Sequence, residues 1–122
     1  MLINLSNHSS SNWTDEQLQA CAAYGEVVDM PFPNVDPSCD EAEIARLADE
    51  TCHQILATAD VQAVHVMGEY TLTFAIVTRL LKAGFRCLTS TTERISRELP
   101  DGQILKTFRF VRRESIESAK RC

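Results

Sequence analysis

Apolar and polar positions along this chain switch between a period of two and a period near 3.6, and each switch marks an element. Leu2-Ile3-Asn4-Leu5 reads as a short strand that ends in an unbroken polar loop over residues 6–12. Thr14 then fits a helix N-cap, with Gln17 as its capping-box partner and with Trp13 and Leu18 at the two positions of a hydrophobic staple. That helix runs to about Tyr24, where Gly25 suits the C-terminal cap. Val27-Val28-Asp29-Met30 is a second strand, followed by a stiff loop holding Pro31, Pro33 and Pro37. Asp40 caps a second helix with Glu43 at the capping-box position. Its buried stripe is Ile44, Leu47, Ala48, Thr51, Cys52 and Ile55, opposite Arg46, Asp49, Glu50 and His53. Residues 63–67 form a third strand, 70–83 a third helix stopped by Gly84, and 85–89 a fourth strand. A fifth strand over 105–111 follows the Pro100-Asp101-Gly102 turn.

The order β-α-β-α-β-α-β-β predicts an α/β fold, a Rossmann-like three-layer sandwich with helices on both faces of a mostly parallel sheet. Right-handed crossovers give strand order 2-1-3-4, with an antiparallel C-terminal strand beside the fourth. Residues 1–122 read as a single domain, and 114–122 as a polar tail that frays or forms a short terminal helix. In this topology the first and third strands are neighbours, and the crevice at their C-terminal ends is where such sheets take ligands. Three polar segments are expected to converge there: residues 6–12, 68–73 and 89–94.

Composition sharpens this picture only in places. At 122 residues, 44% of them hydrophobic and 24% charged, the chain can bury roughly two-thirds of its unfolded surface without disulfides. No apolar run approaches the ~20 residues that span a bilayer, and no leader pattern opens the sequence. A cytoplasmic protein without a membrane partner is expected. Five cysteines (Cys21, Cys39, Cys52, Cys87, Cys122) are scattered without a C-x-x-C pair and read as small buried hydrophobes. His8, His53 and His65 share no metal-ligand spacing with them, so neither metal nor other cofactor is expected. The net charge of −5 argues against binding duplex nucleic acid. Yet acidic residues crowd positions 36–50, while Arg79, Lys82, Arg86, Arg94, Lys106, Arg109, Arg112 and Arg113 gather late. That asymmetry fits a small anionic ligand.

The candidate chemistry sits on the three polar segments. His8, among Asn7, Ser9 and Ser10 just after a strand, fits a general acid or base, a phosphate donor, or a solvated loop histidine. Gly68 suits a tight turn or a close backbone approach. Glu69 fits an acid or base, a ribose ligand, or a carboxylate favoured by the helix macrodipole. Tyr70 suits stacking on a base or packing in a corner. Asn7, Ser9, Ser10, Thr91 and Thr92 offer hydroxyl and amide donors suited to phosphates or sugar, or simply form loops without a ligand, and Arg94 fits a phosphate-neutralising charge or a surface arginine. His65, inside an apolar strand, reads as a satisfied core histidine, and His53 as solvated. No G-x-S-x-G elbow, Walker A loop or G-x-G-x-x-G fingerprint is present. The third helix carries Leu72, Phe74, Ala75, Ile76, Val77, Leu80 and Leu81, more apolar surface than one sheet face covers. A homodimer through the 70–83 helix is therefore expected.

Leu2-Ile3-Asn4-Leu5-Ser6-Asn7-His8, the Met67-Gly68-Glu69-Tyr70-Thr71 turn and Thr91-Thr92-Glu93-Arg94 together resemble small, stand-alone CRISPR-associated Rossmann-like proteins related to CARF domains, compact ring nucleases among them. The resemblance implies a homodimer that binds cyclic oligoadenylate across its twofold axis, in type III CRISPR antiviral signalling. It also implies metal-independent linearisation of the ring, in which a ribose 2′-hydroxyl attacks the adjacent phosphate. Ser6, Asn7 and His8 would then handle the scissile phosphate, and residues 68–71 would cradle phosphate and ribose. A non-catalytic sensor or sponge using the same pocket, and an interaction module without ligand, are the alternatives.

Overall fold

The computed structural model describes residues 1–98 and 104–116, with side chains described up to Ser90. Strands β1 (Leu2–Ser6), β2 (Val27–Pro31), β3 (Ala63–Met67), β4 (Cys87–Glu98) and β5 (Ile104–Ile116) form one sheet in the order β2-β1-β3-β4-β5. The first four are mutually parallel in the order 2-1-3-4, the arrangement of a mixed α/β fold of Rossmann-like type. Helices α1 (Asp15–Cys21), α2 (Glu41–Leu56) and α3 (Tyr70–Lys82) make the crossovers. No described helix is long and apolar enough to cross a membrane.

The pleat of β1 and β3 sorts side chains to two unlike faces. Ile3, Leu5, Val64 and Val66 point to the larger core, where they meet Ile44, Ala48, Cys52 and Ile55 of α2 and Leu72, Ile76, Val77 and Leu80 of α3. Leu2, Ala63, Leu88 and Cys21 form a smaller core on the other face, joined by Trp13, Tyr24 and Val27. So α2 and α3 share one face, and α1 covers the other. β1 is buried throughout because strands flank it on both sides and helices lie above and below it.

The caps explain the helix limits. Thr14 Oγ1 accepts from the Gln17 N–H at 3.2 Å and Gln17 Oε1 from the Thr14 N–H at 2.8 Å, so the capping box is complete. Asp40 accepts from the Glu43 N–H at 2.9 Å, whereas the Glu43 carboxylate accepts from the Cys39 thiol. The last turn before Gly25 is a 3-10 turn over Ala22–Tyr24, and Gly25 takes φ +87°, a conformation side-chain-bearing residues avoid. Trp13 turns into the smaller core, and Leu18 stays 42% exposed.

The C-terminal third departs from expectation. In place of short strands over 85–89 and 105–111, β4 has 12 residues and β5 has 13, paired from Cys87↔Ile116 to Glu98↔Ile104 with a register shift at Thr91/Thr92. Only Val64↔Cys87 and His65↔Leu88 tie this ribbon to β3. Thr91, Thr92 and Arg94 therefore lie within a strand, opposite Arg112, Phe110 and Phe108, not in a loop. Threonine-rich polar runs resemble loops in composition, but β-branched residues favour an extended backbone once a partner strand takes up their hydrogen bonds. Glu114, Ser115 and Ile116 likewise belong to β5, not to a polar tail. The Pro100-Asp101-Gly102 turn and residues 117–122 lie outside the described residues.

Candidate functional site

Parallel register brings two of the three expected walls together. Ser6 pairs with Met67, so the residues that follow, Asn7 and Gly68, leave the sheet side by side at the carboxyl edge of β1 and β3. The third wall is absent as a loop, and the side chains of Thr91, Thr92 and Arg94 lie outside the described residues.

Gly68 and Glu69 are engaged by the chain itself. A Cβ built on Gly68 would stand 2.6 Å from three ring carbons of Phe32, which reaches across from the end of β2. Phe32 is buried in the larger core, so the close approach that Gly68 permits is to this ring. Glu69 is the N-cap of α3: Oε1 accepts from the Thr71 N–H and Oε2 from the Leu72 N–H, both at 2.9 Å. The Leu72 bond foremost, then that of Thr71, lowers the Glu69 pKa below the ordinary glutamate range. A lowered folded-state value means the cap's contribution is complete above that range and fades as pH falls through the lowered value. Glu69→Gln is expected to lower the melting temperature at about pH 7, with the gap to the parent protein closing as pH drops below the ordinary glutamate range. Thermal melts from about pH 7 to about pH 3 check this.

The loop after β1 is folded onto Asp29 of β2. Ser10 donates its N–H to both Asp29 oxygens (3.0 and 3.3 Å) and its hydroxyl to Oδ2 (3.1 Å), and Ser9 Oγ also donates to Oδ2 (3.1 Å). Burial pulls the Asp29 pKa up, but hydrogen bonds from Asn4, Ser10 and Ser9 outweigh it and leave a net lowering. Ser6 is buried: its Oγ lies 2.9 Å from Asn4 Oδ1 and 3.0 Å from the His8 carbonyl, and accepts from the His8 N–H at 3.2 Å. Asn7, His8 and Ser9 are exposed, and the His8 imidazole makes no hydrogen bond among the described residues.

On α3, Leu72, Ile76, Val77 and Leu80 turn into the core. Tyr70 and Phe74, one turn apart, remain 81% and 71% exposed. Thr71 is exposed beside them, and the buried Thr73 Oγ1 has no hydrogen-bond partner among the described residues. A groove of about 350 Å³ opens between the start of α2 and α3, lined by Cys39, Asp40, Ile44, Thr71, Ala75 and Arg79. Arg79 there is paired with Asp49 at 2.7 Å, which ties α2 to α3.

The most connected polar group among the described residues on the α1 face was not among the expected site residues. Asp29, Asn4, His65 and Ser90 stand in a row across β2, β1, β3 and β4. Asn4 Nδ2 donates to Asp29 Oδ1 (2.9 Å) and to the His8 carbonyl (2.8 Å). His65 Nδ1 lies 3.0 Å from Asn4 Oδ1, and His65 Nε2 lies 2.8 Å from Ser90 Oγ. Trp13 meets the His65 ring edge-on, with centroids 5.5 Å apart. His65 is thus the satisfied core histidine its apolar neighbours suggested, and it also links two polar side chains. The signal was the alternation: Asn4, Ser6 and His65 occupy the opposite pleat from Ile3, Leu5, Val64 and Val66. Parallel register then aligns Asn4 with both Asp29 and His65.

Three of the thiols are poor nucleophiles. Burial pushes Cys87 up to about 11, with the nearby Cys52 thiol adding to it, and Cys52 and Cys39 are raised as well, burial again leading. Among the described residues no group of three or more His, Cys, Asp or Glu is arranged to hold a metal ion. Neither a curated protein nor a solved structure matches this chain. Residues 1–113 match the family model described as Uncharacterized protein MJ1673 family, and the chain belongs to that family.

Proposed function

We propose that this protein binds a cyclic oligoadenylate at the carboxyl edge of β1 and β3 and opens the ring, acting in the cytoplasm as part of type III CRISPR antiviral signalling. The observation that carries this reading is the adjacency of the exposed Asn7, His8 and Ser9 to the turn leading into α3, with Tyr70 81% exposed at its start. Tyr70 offers a ring face for an adenine, an interaction that contributes about 1–3 kcal/mol per stacked base. Asn7 and His8 offer donors to a phosphate. Displacing the Glu69 carboxylate from the Thr71 and Leu72 N–H groups would release two further donors to an anion at a helix start. Phe74, one turn further along α3, would meet its counterpart in a second copy, so that a twofold ligand spans two such edges.

The reaction needs no metal. The ribose 2′-oxygen bonds to phosphorus, the bond to the 5′-oxygen breaks, His8 takes the 2′ proton, and the 5′-oxygen takes a proton from solvent water, to which His8 later returns its own. The products are a linear chain with a 2′,3′-cyclic phosphate and a 5′-hydroxyl. A binding-only role, as sensor or sponge, is favoured by two observations: the His8 imidazole has no orienting partner among the described residues, and the first turn of α3 (Tyr70-Thr71-Leu72-Thr73) carries no basic residue.

Incubating the protein with cyclic tetra- and hexa-adenylate in EDTA, with chromatography of the products and melts of the mixtures, separates these outcomes. Ring opening that His8→Ala slows by about 100-fold or more, with ligand-induced stabilisation retained, is the expected result. Stabilisation without product leaves the binding role alone. Neither effect with either ring overturns the proposal.

A further inference from the structure

We infer that Ser90 is an activated nucleophile, with His65 as its base and Asn4 as the residue that orients the base, poised for acyl transfer from a small carboxylic ester. The inference does not depend on the nucleotide reading, since it uses other side chains.

The proton positions follow from the acceptors. Both hydrogens of Asn4 Nδ2 point at acceptors, Asp29 Oδ1 and the His8 carbonyl, which fixes the amide and turns Oδ1 toward His65. An amide oxygen cannot donate, so His65 Nδ1 carries the hydrogen, and in the neutral imidazole the Nε2 lone pair faces the Ser90 hydroxyl at 2.8 Å. Nucleophile, base and orienting group thus stand in consecutive hydrogen-bond contact, the arrangement by which a serine is activated. His65 is buried and Ser90 is half-buried. Leu88 pairs with His65, so Ser90, two residues on, stands level with Met67 and Ser6 at the carboxyl edge, on the α1 side. A sheet of this kind presents its ligand sites at that edge.

The chemistry balances without any further reagent than water. Ser90 Oγ bonds to the ester carbonyl carbon as its proton passes to His65 Nε2. Collapse breaks the bond to the alkoxide, which leaves with that proton, and Ser90 carries the acyl group. Water then gives a proton to Nε2 and attacks the acyl carbon. The carboxylic acid departs and Ser90 recovers its proton. The imidazolium formed at each step is stabilised through Asn4 Oδ1, itself polarised by the Asp29 carboxylate bonded to Nδ2.

A fluorophosphonate probe tests the assignment on the full chain, with peptide mass spectrometry locating the adduct. The expected result is one equivalent bound at Ser90, absent in Ser90→Ala and slowed about 100-fold or more in His65→Gln. The labelling rate of the parent protein should also rise with pH as a single group loses its proton. No adduct on folded protein, an adduct on another serine such as Ser9, or an unchanged rate in His65→Gln overturns the inference. Should His65→Gln fail to fold, a labelling rate flat from about pH 5 to about pH 9 overturns it instead.

Discussion

Gly68→Ala is expected to destabilise the protein by about 2–3 kcal/mol, a loss of about 10 °C in melting temperature for a domain of this size. The added methyl would enter the face of the Phe32 ring, 2.6 Å from three of its carbons, a separation that real Cβ atoms do not sustain. Phe32 cannot simply swing aside. It is 5% exposed and packed in the same cluster as Leu5, Val66 and Leu72, so moving the ring opens a void elsewhere. Gly68 is not held at positive φ, so backbone strain contributes nothing and the whole effect is overpacking. A double-mutant cycle isolates it: in a Phe32→Leu background, where the ring is gone, Gly68→Ala should cost under about 1 kcal/mol. Equal penalties in both backgrounds would show that the ring is not the cause. The experiment also bears on why a glycine stands in this turn. A residue kept small only to admit a ligand would tolerate alanine in the ligand-free protein, and denaturant unfolding without nucleotide decides between the two.

What the sequence made legible was local. The Thr14–Gln17 capping box, the Asp40 cap, the buried stripe of α2 and the limits of α3 are each set by residues within a turn of one another. The first three strands followed from apolar runs bounded by turns, and crossover handedness then ordered them. Features joining distant residues were hidden. Gly68 answers to Phe32, which lies on another strand's exit and leaves no mark near the glycine. The length of β4 depends on β5, and nothing within Thr89-Ser90-Thr91-Thr92 announces a partner strand. Glu69 posed a different difficulty: a carboxylate at a helix start fits a cap and a catalytic group equally well in sequence, and only the two 2.9 Å bonds identify the cap. The row from Asp29 to Ser90 needs the register of four strands at once. One histidine in an apolar strand was readable as satisfied, but not what satisfies it.

Asn4→Ala is expected to be a costly change on the α1 face, destabilising by about 2–3 kcal/mol, because one truncation takes an acceptor from the buried His65 and one hydrogen-bond partner each from Ser6, Asp29 and the His8 carbonyl. The side chain donates to Asp29 and to the His8 carbonyl, and it lies in hydrogen-bond contact with Ser6 and His65. His65 and Ser6 are 3% and 8% exposed, so water does not readily replace the missing acceptor. Asn4→Leu separates hydrogen bonding from volume: it fills the space and leaves the same hydrogen bonds unmade, and so should recover little of the loss. On the apolar face, Ile3→Val removes one methylene with no polar consequence and should cost about 0.5–1.5 kcal/mol. Asp29 adds a pH signature. Its folded-state pKa lies below the ordinary 3.8, so its contribution is complete above that value and is lost as pH falls through the lowered one. Removing the Asn4 donor returns that pKa toward 3.8, so the stability gap between parent and Asn4→Ala should narrow as pH falls below about 4. Urea unfolding at about pH 7 and about pH 3 measures both parts. A gap that stays constant would detach Asp29 from Asn4, and a cost no larger than that of Ile3→Val would mean the polar row contributes nothing to the fold.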